Sequence, residues 1–467
     1  MALIIDMFPE TVYRQRRHAL RQRLGDGLVL LPGHVDAPVN FAHNCYPFRQ
    51  DATFSYFFGL DRPGLIGLID LDTGDETLFA DDLVMNEVIW RGTTVCVAHM
   101  AAASGCRASR PLADVQSVIQ LATDCGRTVH FLPPYRGESA VLLARLTGLC
   151  PDHLGSGASQ ALIRAVVALR EIKDDHEIGE IESALHVTHE MHRVAMQVTR
   201  PGVMEREVVA EMRRVLGGKG LQEAYPPIFS RRGEILHNLE HGERLQKGDL
   251  VINDAGASSA QGYASDITRT LPVGGRFLTN QRDLYELLHE VQTYAIGIIR
   301  PGIAFRDVHR LAALKLVEGM TAMGFFSASA QDIVDSGAYA LCFPHGLGHQ
   351  LGLDVHDMES LGEDAVGYDE HVQRSPLFGL NNLRLGKTLK RGMVLTVEPG
   401  IYFIPSLIKR WHAERRHEGL ICYPRFFDYE HFGGMRIEDV VMVSDSTGKV
   451  LGPPIPKHPD EVEAAMS

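Results

Sequence analysis

The sequence predicts an α/β (α+β) protein in two parts, a smaller α/β domain over residues 1–160 and a larger domain over residues 161–467. Three observations predict this. Strand-length apolar runs alternate with helical patterns through the first third of the chain. A short polar stretch, GSGASQ near 155–160, reads as a linker. Beyond it the chain echoes itself: THEMHRVAMQVTRPG, ending at Gly202, returns as LHEVQTYAIGIIRPG, ending at Gly302.

In the first part, residues 9–24 form a basic helical stretch expected to present a solvated face. Strands are expected at 27–32 (GLVLLP), 54–59 (FSYFFG), 64–70 (GLIGLID) and 130–134 (HFLPP), each bounded by Gly, Pro or Asp. A helix is expected at 139–146, and the YPFRQ loop at 46–50 reads as domain packing. In the second part a long helix over 171–200 stops at Pro201-Gly202. The echo aligns His189 with His289, Glu190 with Glu290, Arg200 with Arg300 and Arg206 with Arg306. Each copy reads as helix, Pro-Gly break, second helix. A duplicated two-helix unit with pseudo-twofold symmetry follows, since two copies are too few for a solenoid.

The chain has 467 residues and a net charge of −13, which argues against non-specific binding to nucleic acid or to an anionic membrane. No apolar run approaches the roughly 18 residues a membrane helix needs. The start, MALIIDMFPE, lacks the basic region of a signal peptide. Seven scattered cysteines without a Cys-x-x-Cys pair fit free thiols in a reducing compartment, so a cytoplasmic location is expected.

Residues 345–357, HGLGHQLGLDVHD, place three histidines and two aspartates among glycine and leucine. A His-x-x-x-His pair alone is weak, because it lacks the glutamate of His-Glu-x-x-His. Four acids in apolar settings strengthen it. Asp254 ends the strand-like GDLVIND, and Asp266 follows twelve residues later in YASDITRT, after a turn-like SSAQG. A hairpin there brings the two carboxylates together, and they repel unless a proton or cation sits between them. Glu398 closes the apolar run MVLTVEPG, and Glu438 interrupts GGMRIEDVVMV. A buried glutamate is rare unless paired or coordinating. The plainer alternatives are pairings of Asp266 with Arg269 and of Glu438 with Arg436. Taken together, two Asp, two Glu and one His suit Mn²⁺, Co²⁺, Fe²⁺ or Zn²⁺, and carboxylates can bridge two ions.

The ordered motifs NDAG, SDITRT, HGLGHQLGLDVHD, TVEPGIYF and RIED resemble those of the pita-bread metallopeptidases, of prolidase and aminopeptidase P type. YPFRQDATFSYFFGL resembles the accessory domain of the same enzymes. The resemblance implies a C-terminal pita-bread (creatinase/aminopeptidase) domain with pseudo-twofold symmetry. It implies two divalent ions, Mn²⁺ foremost with Co²⁺, Zn²⁺ or Fe²⁺ as alternatives, on Asp254, Asp266, His349, Glu398 and Glu438, with Asp266 and Glu438 bridging. Glu398 matches the residue that relays a proton, and His356 one that steadies the tetrahedral intermediate. His345 matches a wall of the proline pocket, His237 a substrate-binding histidine, and Arg436 the RIED arginine. Asn238 departs from the family's usual Tyr.

The implied reaction is hydrolysis of the Xaa–Pro imido bond with metal-activated water, without an acyl-enzyme. Arg384, fourteen residues before Glu398, resembles the prolidase arginine that reads the free carboxylate after proline. The forty residues between Glu398 and Glu438 also resemble prolidase. The resemblance therefore implies an Xaa-Pro dipeptidase, with an Xaa-Pro aminopeptidase acting on longer peptides as the alternative. A non-enzymatic binding module would not need acid or histidine at all five ligand positions. Related enzymes are dimers or tetramers, so a homodimer or homotetramer is expected.

Overall fold

The computed structural model describes residues 7–93 and 95–467, so the first six residues of MALIIDMFPE lie outside it. The chain forms two compact units, Met1–Glu171 with Met358–Val366, and Ile172–Asp357 with Gly367–Ser467. The polar stretch at 155–160 does not separate them. Leu154–Gly157 is a helical turn, and the Ser159 hydroxyl caps the helix Gln160–Arg170 by accepting from Leu162 N at 3.2 Å. That helix stays with the first unit, which places the division after Glu171 rather than near 160.

The first unit is built on a five-stranded mixed sheet in the order Ala108–Arg110, Glu76–Phe79, Ile66–Asp70, Leu28–Pro32, Val129–His130. The expected runs at 27–32 and 64–70 are its antiparallel centre. The expected strand at 130–134 is cut short at His130, ahead of Pro133 and Pro134, which cannot donate to a ladder. The run at 54–59 is not a strand. Ala52–Phe58 is a helix, capped by Asp51, whose side chain accepts from Phe54 N at 2.8 Å, and closed by Gly59 at φ 66°. Because almost every face of this helix is buried, its sequence carries no amphipathic period.

The basic helix Glu10–Arg21 also departs from expectation, since Arg16 and Arg17 are buried rather than solvated. Arg17 donates to Phe57 O at 2.7 Å and Ser104 O at 3.0 Å and pairs with Glu76 at 2.8 Å. Arg16 lies over the Tyr56 ring, 4.1 Å from its centroid. These arginines tie the helix to the unit's interior.

In the second unit the duplicated element is plain. Asp175–Val198 and Glu205–Lys219 form one helix pair, and Thr279–Ile298 and Phe305–Ala322 the other. The same backbone bonds seat both breaks. Gly202 N donates to Leu245 O and Gly302 N to Leu389 O; Glu205 N donates to Glu243 O and Phe305 N to Lys387 O. Two three-stranded antiparallel sheets accompany them. One runs Thr268–Pro272, Leu250–Asp254, Ile228–Ser230; the other runs Val394–Val397, Asp439–Val443, Gly448–Val450. A bridge between Thr268 and Glu438 connects them. Each sheet's leading strand ends in an acid, Asp254 in one and Glu398 just past the other. Among the described residues no helix is long and apolar enough to cross a membrane.

Candidate metal centre

Register alone brings the five expected ligands together. Asp254 stands opposite Thr268 across the hairpin, with Asp266 two residues before Thr268. Ser259 N bonds to Tyr263 O at 2.8 Å and closes the turn expected at SSAQG. Thr268 in turn bridges to Glu438, whose N donates to Thr268 O at 3.0 Å. The histidine loop runs beside Val394–Val397 as an added antiparallel edge. Leu351 N bonds to Val394 O, Thr396 N to His349 O, and Glu398 N to Leu347 O. This alternation points His349 and Glu398 the same way, as residues on one sheet face do.

His349 Nε2 lies 3.4 Å from Asp266 Oδ2 and 3.6 Å from Glu398 Oε1. Its Nδ1 sits 3.0 Å from Gln350 O, which assigns the ring proton to Nδ1 and leaves the Nε2 lone pair facing the carboxylates. Asp266, His349 and Glu438 each offer a donor atom within 4.8 Å of one another. Asp254, Asp266, His349 and Glu438 are buried, and Glu398 is partly so. Burial and the Asp254 charge push the Asp266 carboxyl up. Burial pushes Glu398 up, against the pull of His349 and Arg436. Glu438 is raised well above the usual range by burial and by the charges of Asp266, Glu398 and Asp254. Four sequestered carboxylates around one imidazole lone pair form an arrangement that divalent cations relieve. The donor set fits two such ions.

The surrounding shell is specific. Tyr225 OH donates between Asp254 Oδ1 at 2.6 Å and Asp266 Oδ1 at 2.5 Å. Arg436 donates to Asp254 Oδ2 at 2.5 Å, to Tyr402 OH at 2.8 Å and to Thr268 Oγ1 at 3.1 Å. Thr268 Oγ1 donates to Glu438 Oε2 at 2.6 Å. His345 Nδ1–H faces Gly346 O at 2.8 Å, so Nε2 accepts from Tyr402 OH at 2.9 Å. Burial, with the Arg436 charge, lowers the His345 imidazole to about 3, so it is neutral.

The plainer pairings do not occur. Arg269 turns away and pairs with Asp439 at 2.7 Å, and Arg436 hydrogen-bonds Asp254 rather than Glu438. Asp357 of the histidine loop pairs with Lys173 at 2.9 Å, both side chains 1% exposed, which pins the residue beside His356. The His356 ring lies 4.3 Å from that of His349. His237 keeps solvent access. Burial of its ring and the charges of Arg436, His356 and Arg384 depress its pKa against the pull of Asp254. Tyr225, Thr268, Tyr402 and Thr396, whose hydroxyl accepts from His349 N at 3.1 Å, were not anticipated from the sequence. Hydroxyl residues in apolar runs carry no signal of their own, and Tyr225 precedes Pro226-Pro227 in an apparent loop.

A buried carboxylate-rich centre on a duplicated α/β frame defines a metal-dependent hydrolase. The profile of metallopeptidase family M24 matches residues 179–445, and that of the aminopeptidase P N-terminal domain matches residues 13–130. The chain belongs to metallopeptidase family M24. It is 30% identical to the Xaa-Pro dipeptidase of Homo sapiens over 98% of this chain and 94% of that one. It is 31% identical to a probable Xaa-Pro aminopeptidase of Fusarium vanettenii over 94% of this chain and 91% of that one. Its structure is similar to Pseudomonas aeruginosa aminopeptidase PepP, with a TM-score of 0.80, 26% identity and 98% of both chains covered. Escherichia coli aminopeptidase P with the inhibitor Pro-Leu matches with the same TM-score and identity over 99% of both chains. The pita-bread architecture and the peptidase class are thereby established.

Proposed function

We propose that this metallopeptidase is an Xaa-Pro dipeptidase that hydrolyses the imido bond of Xaa-Pro dipeptides. Both readings of its specificity have support, since curated relatives carry both names and the solved neighbours are aminopeptidases P. The observation that favours the dipeptidase is the placement of half-buried Arg384, directly after Asn382 and Leu383, which pack on Pro344 and Gly346 of the histidine loop. A guanidinium there pairs bidentately with a carboxylate directly after proline. A longer peptide has a neutral amide at that position.

Asp254, Asp266, His349, Glu398 and Glu438 would hold two divalent ions, Mn²⁺ by preference of the oxygen-rich set, and the ions would supply Lewis acidity and an activated water. The chain's own groups do the rest. Tyr225 and Arg436 fix Asp254, so the carboxylates keep their facing. Glu398 takes a proton on its carboxylate and delivers it to the leaving proline nitrogen. His356, beside His349, donates to the carbonyl oxygen as charge develops there. Neutral His345 walls the proline ring, and His237 holds the substrate at the open side.

We read the protein as a cytoplasmic homodimer or homotetramer. Exposed Met85, Ile89 and Trp90 on the helix Met85–Arg91 support a subunit contact, which light scattering after size exclusion tests.

The deciding experiment measures cleavage of Ala-Pro and Ala-Pro-Ala with added Mn²⁺, in the wild type and in Arg384→Ala. Preferred hydrolysis of the dipeptide, lost in the variant, supports the dipeptidase. Faster removal of alanine from the tripeptide, with the preference untouched in the variant, makes it an Xaa-Pro aminopeptidase.

A further inference from the structure

Arg384 has no strand or helix to hold it. It lies between the short 3₁₀ turn Leu380–Asn382 and the backbone at Gly386. Its neighbours Leu383 and Leu385 are each 1% exposed. Arg384 itself is half-buried between them.

Two contact sets fix that triplet. On one side it rests on the histidine loop. A Cβ added at Gly346 would come within 2.8 Å of Leu383 Cα, and Asn382 Nδ2 donates to Pro344 O at 3.2 Å. This contact seats the backbone just ahead of Arg384 against residues 344–346. On the other side a small clamp closes. Tyr368 OH donates to Leu383 O at 2.6 Å. Arg374 stacks on the Tyr368 ring, 4.8 Å from its centroid, and donates to Asn381 O at 2.8 Å. Gly367 O accepts from Gly386 N and Lys387 N, both at 2.8 Å. A Cβ on Gly367 would lie 1.8 Å from Arg384 O, so only glycine allows the approach.

We infer that Gly367, Tyr368 and Arg374 form a backbone clamp that sets the reach of Arg384 and so determines whether the enzyme selects a carboxylate directly after proline. The inference rests on the dipeptidase reading. The clamp residues touch no reacting atom; they are positioning residues. Pre-organising the arginine matters because a bidentate ion pair tolerates little displacement, and a flexible guanidinium loses part of its pairing free energy to ordering. Cation–π stacking keeps Arg374 in register over Tyr368, and the Tyr368 hydroxyl carries that register to the carbonyl that precedes Arg384.

The test compares kcat and KM for Ala-Pro and Ala-Pro-Ala in the Mn²⁺-loaded wild type, Tyr368→Phe, Arg374→Met, Arg374→Lys and Arg384→Ala, together with inhibition by free proline, which carries the same carboxylate. The inference expects Tyr368→Phe and Arg374→Met to raise KM for Ala-Pro by about 5- to 20-fold with kcat changed less than threefold. It expects proline inhibition to weaken in parallel, the dipeptide-to-tripeptide ratio to fall, and Arg374→Lys to recover part of the loss. Melting temperatures monitor folding in each variant. Equal losses on both peptides, or no change where Arg384→Ala shifts the ratio, would overturn the clamp. An Arg384→Ala variant that leaves the ratio unchanged would instead overturn the dipeptidase reading beneath it.

Discussion

Arg436, which ends the strand Gly434–Arg436, and Asp254, which ends Leu250–Asp254, are joined at 2.5 Å, with side chains only 5% and 10% exposed. One guanidinium thereby anchors a carboxylate of the candidate centre, Thr268 and Tyr402 at once. Removing one partner of a buried pair leaves the other charge uncompensated, at a cost of about 3–5 kcal/mol. Arg436→Met is expected to lower the urea midpoint and to reduce Ala-Pro turnover by at least about 100-fold. Arg436→Lys should recover stability better than activity, because lysine cannot reach all three partners.

Tyr225 is placed between Asp254 and Asp266 by hydrogen bonds to both. Groups that orient metal ligands typically alter affinity by about 10- to 100-fold when lost. Tyr225→Phe is expected to need about 10-fold more Mn²⁺ for half-maximal activity, with kcat at saturating Mn²⁺ reduced less. A metal titration of activity reads this directly, and an unchanged requirement would contradict the role.

His309 carries a pH signature outside the acidic cluster. It accepts from Leu347 N at 3.1 Å through Nδ1, so Nε2–H donates to Tyr339 OH at 2.9 Å. Complete burial lowers its pKa from 6.5 to about 4. The unfolded chain takes up this proton near pH 6.5 and the folded chain does so only near 4. Stability is therefore fully present above pH 6.5 and falls as the pH drops toward 4. Between pH 7 and pH 5 the group accounts for about 2 kcal/mol. His309→Gln should show a correspondingly smaller drop in urea-unfolding free energy over that interval, though it starts from lower stability.

Much of this candidate centre was legible in the sequence because three of its acids violate their surroundings. Asp254, Glu398 and Glu438 interrupt apolar strand runs, and a charge in such a place needs a partner. The echo ending at Gly202 and Gly302 likewise announced the paired helices, while the matching backbone bonds at their breaks emerged only in the structure. Other features depended on three-dimensional context. The helix Ala52–Phe58 is wrapped in protein on nearly all sides, so it lost the polar face that distinguishes a helix from a strand. Only Asp51 and Gly59, its caps, hinted at it. Arg16 and Arg17 read as solvated because nothing in a basic stretch announces Glu76 or the carbonyls of Phe57 and Ser104. Tyr225 and Tyr402 act through distant partners, which no local pattern encodes.

The most direct test of the metal-centred account is metal content measured alongside activity. The purified protein is stripped with chelator, titrated with Mn²⁺, and followed by atomic emission and by proline release from Ala-Pro. The account predicts negligible activity in the stripped protein, recovery on Mn²⁺ addition, two ions per chain at full activity, and a higher melting temperature once loaded. Full hydrolysis of Ala-Pro by protein that retains no divalent ion would contradict it.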